Sequence, residues 1–240
     1  MSLKELLAER GIKKALIVDD AFDDVPMAVD IDPGSEDWPN FNDDLTPEGR
    51  AAIAAAYPPA ADLPFDALIA DDGYVATVWA MRDELGKPAQ DVFAQYLKDQ
   101  ASDQFHVELA REKLTALGLE CVISGRDFEA EIGDVDLVLI DLFLNKRQDD
   151  LALADSKQRL RQALKKRLPT PPLVLLMSRS PRLPLKREEF RDEVGLIDSG
   201  FRIVAKSELE DGDRLELQLE RLAENAADTR NLARFFAELE

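Results

Sequence analysis

Residues 135–141 read VDLVLID, an apolar run broken only by Asp136 and closed by Asp141. Such a run, apolar on both faces, suits a strand in the middle of a parallel sheet, where helices cover both sides. Four comparable runs flank it: Ala15–Val18 (ALIV) ending in Asp19 and Asp20, Glu120–Ile123, Pro172–Met177 (PLVLLM) ending in Ser178, and Phe201–Ala205 (FRIVA) ending in Lys206. Helical patterns fill the intervals. Residues 2–10 form a short amphipathic stretch stopped by Gly11. Residues 107–117 place Val107, Ala110, Leu114 and Leu117 at helical spacing before Gly118. Residues 149–168 form a long basic helix, and 211–239 a last one with Leu215, Leu219, Leu222, Ala226, Leu232, Phe236 and Leu239 on one stripe. Strand and helix in alternation predict an α/β domain with a doubly wound, five-stranded parallel sheet.

Residues 21–105 interrupt that rhythm. Residues 21–44 are rich in Asp and Pro and read as loop. Thr46-Pro47 opens a helix to about Tyr57. After a Pro-rich break at 58–66, residues 73–86 and 88–102 read as two more helices, divided at Gly86 and Pro88. The segment is therefore a mostly helical insertion, and the α/β domain comprises 1–20 and 106–240. Trp79, Met81, Phe93 and Tyr96 fall at helical spacing and are expected in the insertion's own core rather than in a partner-binding groove.

Composition narrows the function. The 240 residues carry 49 Asp plus Glu against 30 Lys plus Arg, a net charge of −19. That balance disfavours general nucleic-acid or anionic-membrane binding, which needs cations facing phosphates. The single cysteine, Cys121, excludes an internal disulfide and a CxxC metal knuckle. The amino-terminal residues lack the apolar core of a signal peptide, and no run of about 18 apolar residues exists. A cytoplasmic protein is expected.

The polar residues cluster where the strands end. In an open parallel sheet, sites form at the carboxyl ends of the strands, and four of the five runs end there in Asp19-Asp20, Asp141, Ser178 or Lys206. Carboxylates brought together repel one another unless a hard cation such as Mg2+ neutralises them. A lysine and a hydroxyl facing them would receive a phosphoryl group. This is equipment for phosphoryl transfer onto a carboxylate.

In that order and at those places, the residues resemble the signature of the receiver domain of bacterial two-component response regulators. The resemblance covers 12–20 and about 106–225. It implies the flavodoxin-like strand order 2-1-3-4-5, with Asp141 as phosphoacceptor. It implies Mg2+ held by Asp19, Asp20, Asp141 and the backbone carbonyl of Phe143, with Ser178 and Lys206 binding the phosphoryl group. It further implies a histidine kinase, a phosphotransfer protein or a small acyl phosphate as donor, and signalling through an output partner, through 21–105 for example, or service as a phosphate sink. A homodimer is left open. No DNA-binding or enzymatic output domain is expected after the receiver-like part.

The sequence departs from the family in three ways. Ser178 and Lys206 lie farther from Asp141 than the family norm. Ser207 stands after Lys206 where receivers usually have Pro, so a cis peptide is not expected there. Ile203 takes the place of the usual switching Tyr or Phe. Two other readings compete: a pseudo-receiver binding module working through the insertion, and a Mg2+-dependent phosphatase with Asp141 as nucleophile. Phe143 stands where phosphatases of the haloacid-dehalogenase type carry a second Asp, which places the phosphatase third. His106, the only histidine, reads as a solvated residue at a helix start; a phosphorylated histidine is the minor alternative. Charge is uneven: ten acids and no Lys or Arg lie between Asp19 and Asp44, whereas Lys146 to Arg191 holds 13 Lys plus Arg and 5 Asp plus Glu. The acidic stem is expected near the basic segment.

Overall fold

The computed structural model describes residues 1–210 and 213–239. In chain order the elements are α1 (Leu3–Glu9), β1 (Lys14–Val18), α2 (Asp37–Asp44), α3 (Pro47–Ala56), α4 (Phe65–Leu68), α5 (Asp72–Leu85), α6 (Lys87–Ala116), β2 (Glu120–Ser124), β3 (Leu137–Asp141), α7 (Asp150–Lys165), β4 (Leu173–Ser178), α8 (Leu183–Val194), β5 (Phe201–Ala205) and α9 (Asp213–Ala237), joined by loops and short 3-10 turns. The expected start of the last helix at 211 and 212 lies outside the described residues. The chain divides into two compact units: 1–22 with 102–144 and 148–240, and 23–101 with 145–147.

The first unit contains the sheet. Its five strands are all parallel and ordered β2-β1-β3-β4-β5, the doubly wound, flavodoxin-like arrangement. Side chains alternate between its faces as strand geometry requires. Ala15, Ile17, Leu137, Leu139, Leu175, Met177 and Val204 form one face. Leu6 and Leu7 of α1, Val107, Ala110 and Leu114 of α6, and Leu215, Leu219, Leu222 and Ala226 of α9 cover it. Leu16, Val18, Val138, Ile140, Val174 and Leu176 form the other. They are covered by Phe128 and Ile132, by Leu153, Leu160 and Ala163 of α7, and by Leu183, Phe190 and Val194 of α8. The helix ends obey local chemistry. Ser2 and Glu5 form a reciprocal capping box on α1, and Asp149 caps α7 by accepting from Ala152 N–H at 2.9 Å. Gly195 ends α8 in the left-handed region at φ +84°.

Two helical expectations change here. Residues 37–44, read as the end of a loop, form α2, whose Trp38 and Phe41 are buried. The helices read at 88–102 and 107–117 are a single 30-residue helix, α6. Residues 101–106, ASDQFH, contain neither Gly nor Pro, so no backbone constraint stops the helix there. The break before it, at Gly86 with φ +77°, is where the sequence predicts it. Residues of α6 up to Ala101 belong to the second unit and those from Ser102 to the first.

The second unit has a core of its own, built from Trp38, Phe41, Ile53, Tyr74, Val75, Val78, Phe93 and Tyr96, with Trp79 and Met81 packed against it half-buried. The Trp38 ring meets Phe41 and Phe93 edge-on at 5.9 and 6.2 Å, the geometry that aromatic quadrupoles favour. Thr46 caps α3 by accepting from Gly49 N–H at 3.1 Å. Asp71 caps α5 and accepts the Tyr57 hydroxyl at 2.6 Å, which holds the Asp71 carboxyl below its ordinary pKa. Lys146 pairs with Asp99 at 2.9 Å. Together with Arg147, Asp30, Asp32 and Asp37 they line a cavity of about 680 Å³, so the first two residues of the basic run share that cavity with three acids of the stem. Among the described residues no helix is long and apolar enough to cross a membrane.

Leu175 lies at the centre of the sheet with no exposed surface. Leu175→Ala is expected to lower unfolding free energy by about 2–5 kcal/mol. Leu185→Ala, on the solvent side of α8, should change it by no more than about 0.5 kcal/mol. Urea denaturation of both variants checks the assignment of the core face.

Candidate functional site

The register of the sheet brings the strand-end residues level. Val18 pairs with Ile140, so Asp19, the next residue along β1, stands beside Asp141, the last of β3. Asp141 pairs with Met177, and Ser178 pairs with Ala205, which places Lys206 one step beyond Ser178. All four side chains therefore lie at one edge of the first unit.

Local hydrogen bonds hold each in place. Asp19 Oδ1 accepts from Ala21 N–H at 3.1 Å, an Asx turn that folds Asp20 into the short turn Asp20–Phe22. Leu142 N–H donates to Met177 O at 2.8 Å, continuing the pairing of β3 with β4 past Asp141. Phe143 N–H donates to Asp141 Oδ1 at 3.3 Å, while the Phe143 ring packs into the core face beneath. Ser178 Oγ accepts from Ser180 N–H at 3.1 Å.

Lys206 is the centre of the arrangement. It is 1% exposed, and its Nζ contacts Asp19 Oδ2 at 2.7 Å, Asp103 Oδ1 at 2.9 Å and Asp141 Oδ2. The approach to Asp19 Oδ2 is an ion pair without a well-directed hydrogen bond. Burial alone would lower the Lys206 pKa, but the charges of Asp141, Asp19 and Asp103 outweigh it and hold the ammonium form far above the ordinary lysine value. Burial pushes Asp19 up to about 6. Lys206 opposes that shift, and the neighbouring Asp141 and Asp103 charges add to it.

The donor set fits a hard divalent cation. Asp19, Asp20 and Asp141 each offer a carboxylate oxygen, and these atoms lie within 4.8 Å of one another. Oxygen donors in that spacing suit Mg2+, which takes one or two carboxylates and completes its shell with water or phosphate oxygens.

Two residues of the site escape the sequence reading. Asp103 comes from α6 and is buried at 8% exposure. Arg179 follows Ser178, and its Nη2 donates to Asp103 Oδ2 at 2.7 Å. Arg179 has a visible signal, since it directly follows a strand-end residue. Asp103 has none, being one acid among many in a helical stretch. His106 lies inside α6 rather than at a helix start. Its Nδ1 contacts Ser102 O at 2.8 Å and its Nε2 approaches Glu210 at 3.4 Å. The Lys206–Ser207 bond is trans; the cis bond among the described residues is Leu168–Pro169.

Comparison with protein-family models, with curated proteins and with solved structures finds no match for this chain.

Removing the Lys206 charge leaves buried carboxylates uncompensated. Lys206→Met is expected to destabilise the protein by about 3–5 kcal/mol, and millimolar Mg2+ should recover part of that loss by neutralising the same oxygens. Thermal denaturation of the variant with Mg2+ and with a chelator tests both statements; no dependence on Mg2+ would remove the cation from the site.

Proposed function

We propose that this chain is a receiver-type phosphoacceptor, modified on Asp141 in a Mg2+-dependent reaction. The observation that supports it most is the buried Lys206 ammonium shared by Asp141 and Asp19, at the sheet edge where Asp20 completes a carboxylate triad. A structural ion pair needs one carboxylate for one lysine. Here carboxylates exceed the lysine charge, which suits a site built to gain a cation and an anionic group together.

In the proposed reaction one carboxylate oxygen of Asp141 attacks phosphorus in line with the leaving group. The new O–P bond forms as the bond to the donor breaks, and the departing group keeps the electron pair. Lys206 moves its hydrogen bonds from the Asp141 carboxylate to the equatorial phosphoryl oxygens. The Ser178 hydroxyl, at the end of the neighbouring strand, donates to one of them. Asp19, Asp20, Asp141 and the Phe143 carbonyl would hold Mg2+, whose charge offsets that of the transferring group. The donor in this reading is a histidine kinase, a phosphotransfer protein or a small acyl phosphate. Its setting is the cytoplasm, and its output is contact with another protein or storage of phosphate, with no general nucleic-acid binding and no membrane attachment.

Incubation with acetyl phosphate and Mg2+ should give one phosphoryl adduct by intact mass. The adduct should be lost in Asp141→Asn and in the presence of a chelator. Wild-type protein that stays unmodified at saturating acetyl phosphate would refute the reading. Steady turnover of a phosphomonoester would favour the phosphatase instead.

A further inference from the structure

Asp103 is a buried carboxylate at the centre of the site for which the proposed chemistry has no use. One of its oxygens accepts from Lys206 Nζ at 2.9 Å and the other from Arg179 Nη2 at 2.7 Å. Arg179 also reaches Ser102 Oγ at 3.4 Å. The Asp103 carboxylate thus bridges two cations, one of which also touches Asp141. Two oxygens held between an ammonium and a guanidinium are what a phosphoryl group presents as well, and guanidinium groups bind both anions through the same paired geometry.

Resting on the phosphoacceptor reading, we propose that Arg179 and Lys206 form an oxyanion subsite. Asp103 fills it while Asp141 is unmodified, and the phosphoryl group on Asp141 takes it over. Charge decides the direction of the exchange. Asp19, Asp103 and Asp141 already crowd Lys206, and Asp103 also holds Arg179. Modification replaces a single negative charge on Asp141 with about −1.5 to −2, carried by three strong acceptor oxygens. The phosphoryl group and Asp103 then compete for the same two cations, and like charges a few ångströms apart repel.

Asp103 is the member able to leave. Asp19 has no exposed surface and its carboxylate is tied into the turn after β1. Asp141 is the modified residue. Asp103 is next to the exposed Ser102 and Ala101 on the same helix, so a change of its rotamer or a small rotation of α6 takes it to water. Arg179 is part-exposed and can follow the phosphoryl oxygens. The segment around Asp103 also holds Gln104, whose Nε2 donates to Ala21 O at 2.8 Å in the turn that follows Asp19 and Asp20. Release of Asp103 therefore loosens residues 102–106. This is a route for the modification to alter α6 that does not depend on the aromatic switch residue replaced by Ile203.

The test compares wild type, Asp103→Asn and Arg179→Gln by two measurements. The first is the initial rate of adduct formation from acetyl phosphate with Mg2+. The second is amide hydrogen exchange across 98–108 before and after modification. Asp103→Asn, which keeps the shape but removes the competing charge, should form the adduct about tenfold faster, the scale of one lost charged hydrogen bond. Arg179→Gln should form it more slowly than wild type. In wild type, exchange at 102–106 should rise on phosphorylation. In Asp103→Asn it should be high from the start and unchanged by phosphorylation. A wild-type adduct formed with no change in exchange at 102–106, or an Asp103→Asn rate equal to wild type, overturns the exchange while leaving the phosphoacceptor reading intact. Absence of any wild-type adduct overturns both. The wild-type exchange measurement stands whether or not either variant folds.

Discussion

A lysine ammonium with 1% exposure stands at the meeting point of three carboxylates, and much of the first unit is arranged to make that tolerable. Taking such a charge out of water costs several kcal/mol unless it is fully paired. Lys206 is paired from three directions, by the ends of β1 and β3 and by α6. The carboxylates need it equally, because like charges this close repel one another without a cation between them. Burial already pushes the Asp19 carboxyl up to about 6. The cluster is balanced so that a change of charge at any member shifts the rest.

The sheet makes that balance possible. Parallel strands in the order β2-β1-β3-β4-β5 direct their carboxyl ends to one edge, and register sets Asp19 beside Asp141 and Lys206 one step past Ser178. The alternating faces are sealed by two separate apolar layers, so the strands cannot slip by one residue without turning leucines and valines to the wrong side. A rigid frame of this kind lets a site hold like charges within a few ångströms of one another.

The helix that supplies Asp103 differs in character from the strands. Only part of α6 belongs to the sheet-bearing unit, where Val107, Ala110 and Leu114 fix it to one face. Toward its amino end, Phe93 and Tyr96 serve a different core. Between these anchors, Asp103 and Gln104 are tied by polar contacts to Lys206, Arg179 and Ala21. Such contacts respond to charge in a way that apolar packing does not.

Much of this was legible in the chain itself. The five apolar runs, the parallel sheet and its helices, and the residues at the strand ends follow from local pattern, because a strand covered on both faces must be apolar along its length and must then stop. Gly86 and Thr46-Pro47 marked helix boundaries for equally local reasons. What only the tertiary structure decided is nonlocal. No periodicity shows that 88–102 and 107–117 are one helix or that His106 lies inside it. Above all, the sequence does not reveal that Asp103 meets Lys206 across 103 positions of chain. An acid on a helix has no signature of its partner. Its role arises when folding sets it against a buried ammonium and a guanidinium, and that is a property of distance and desolvation rather than of order along the chain.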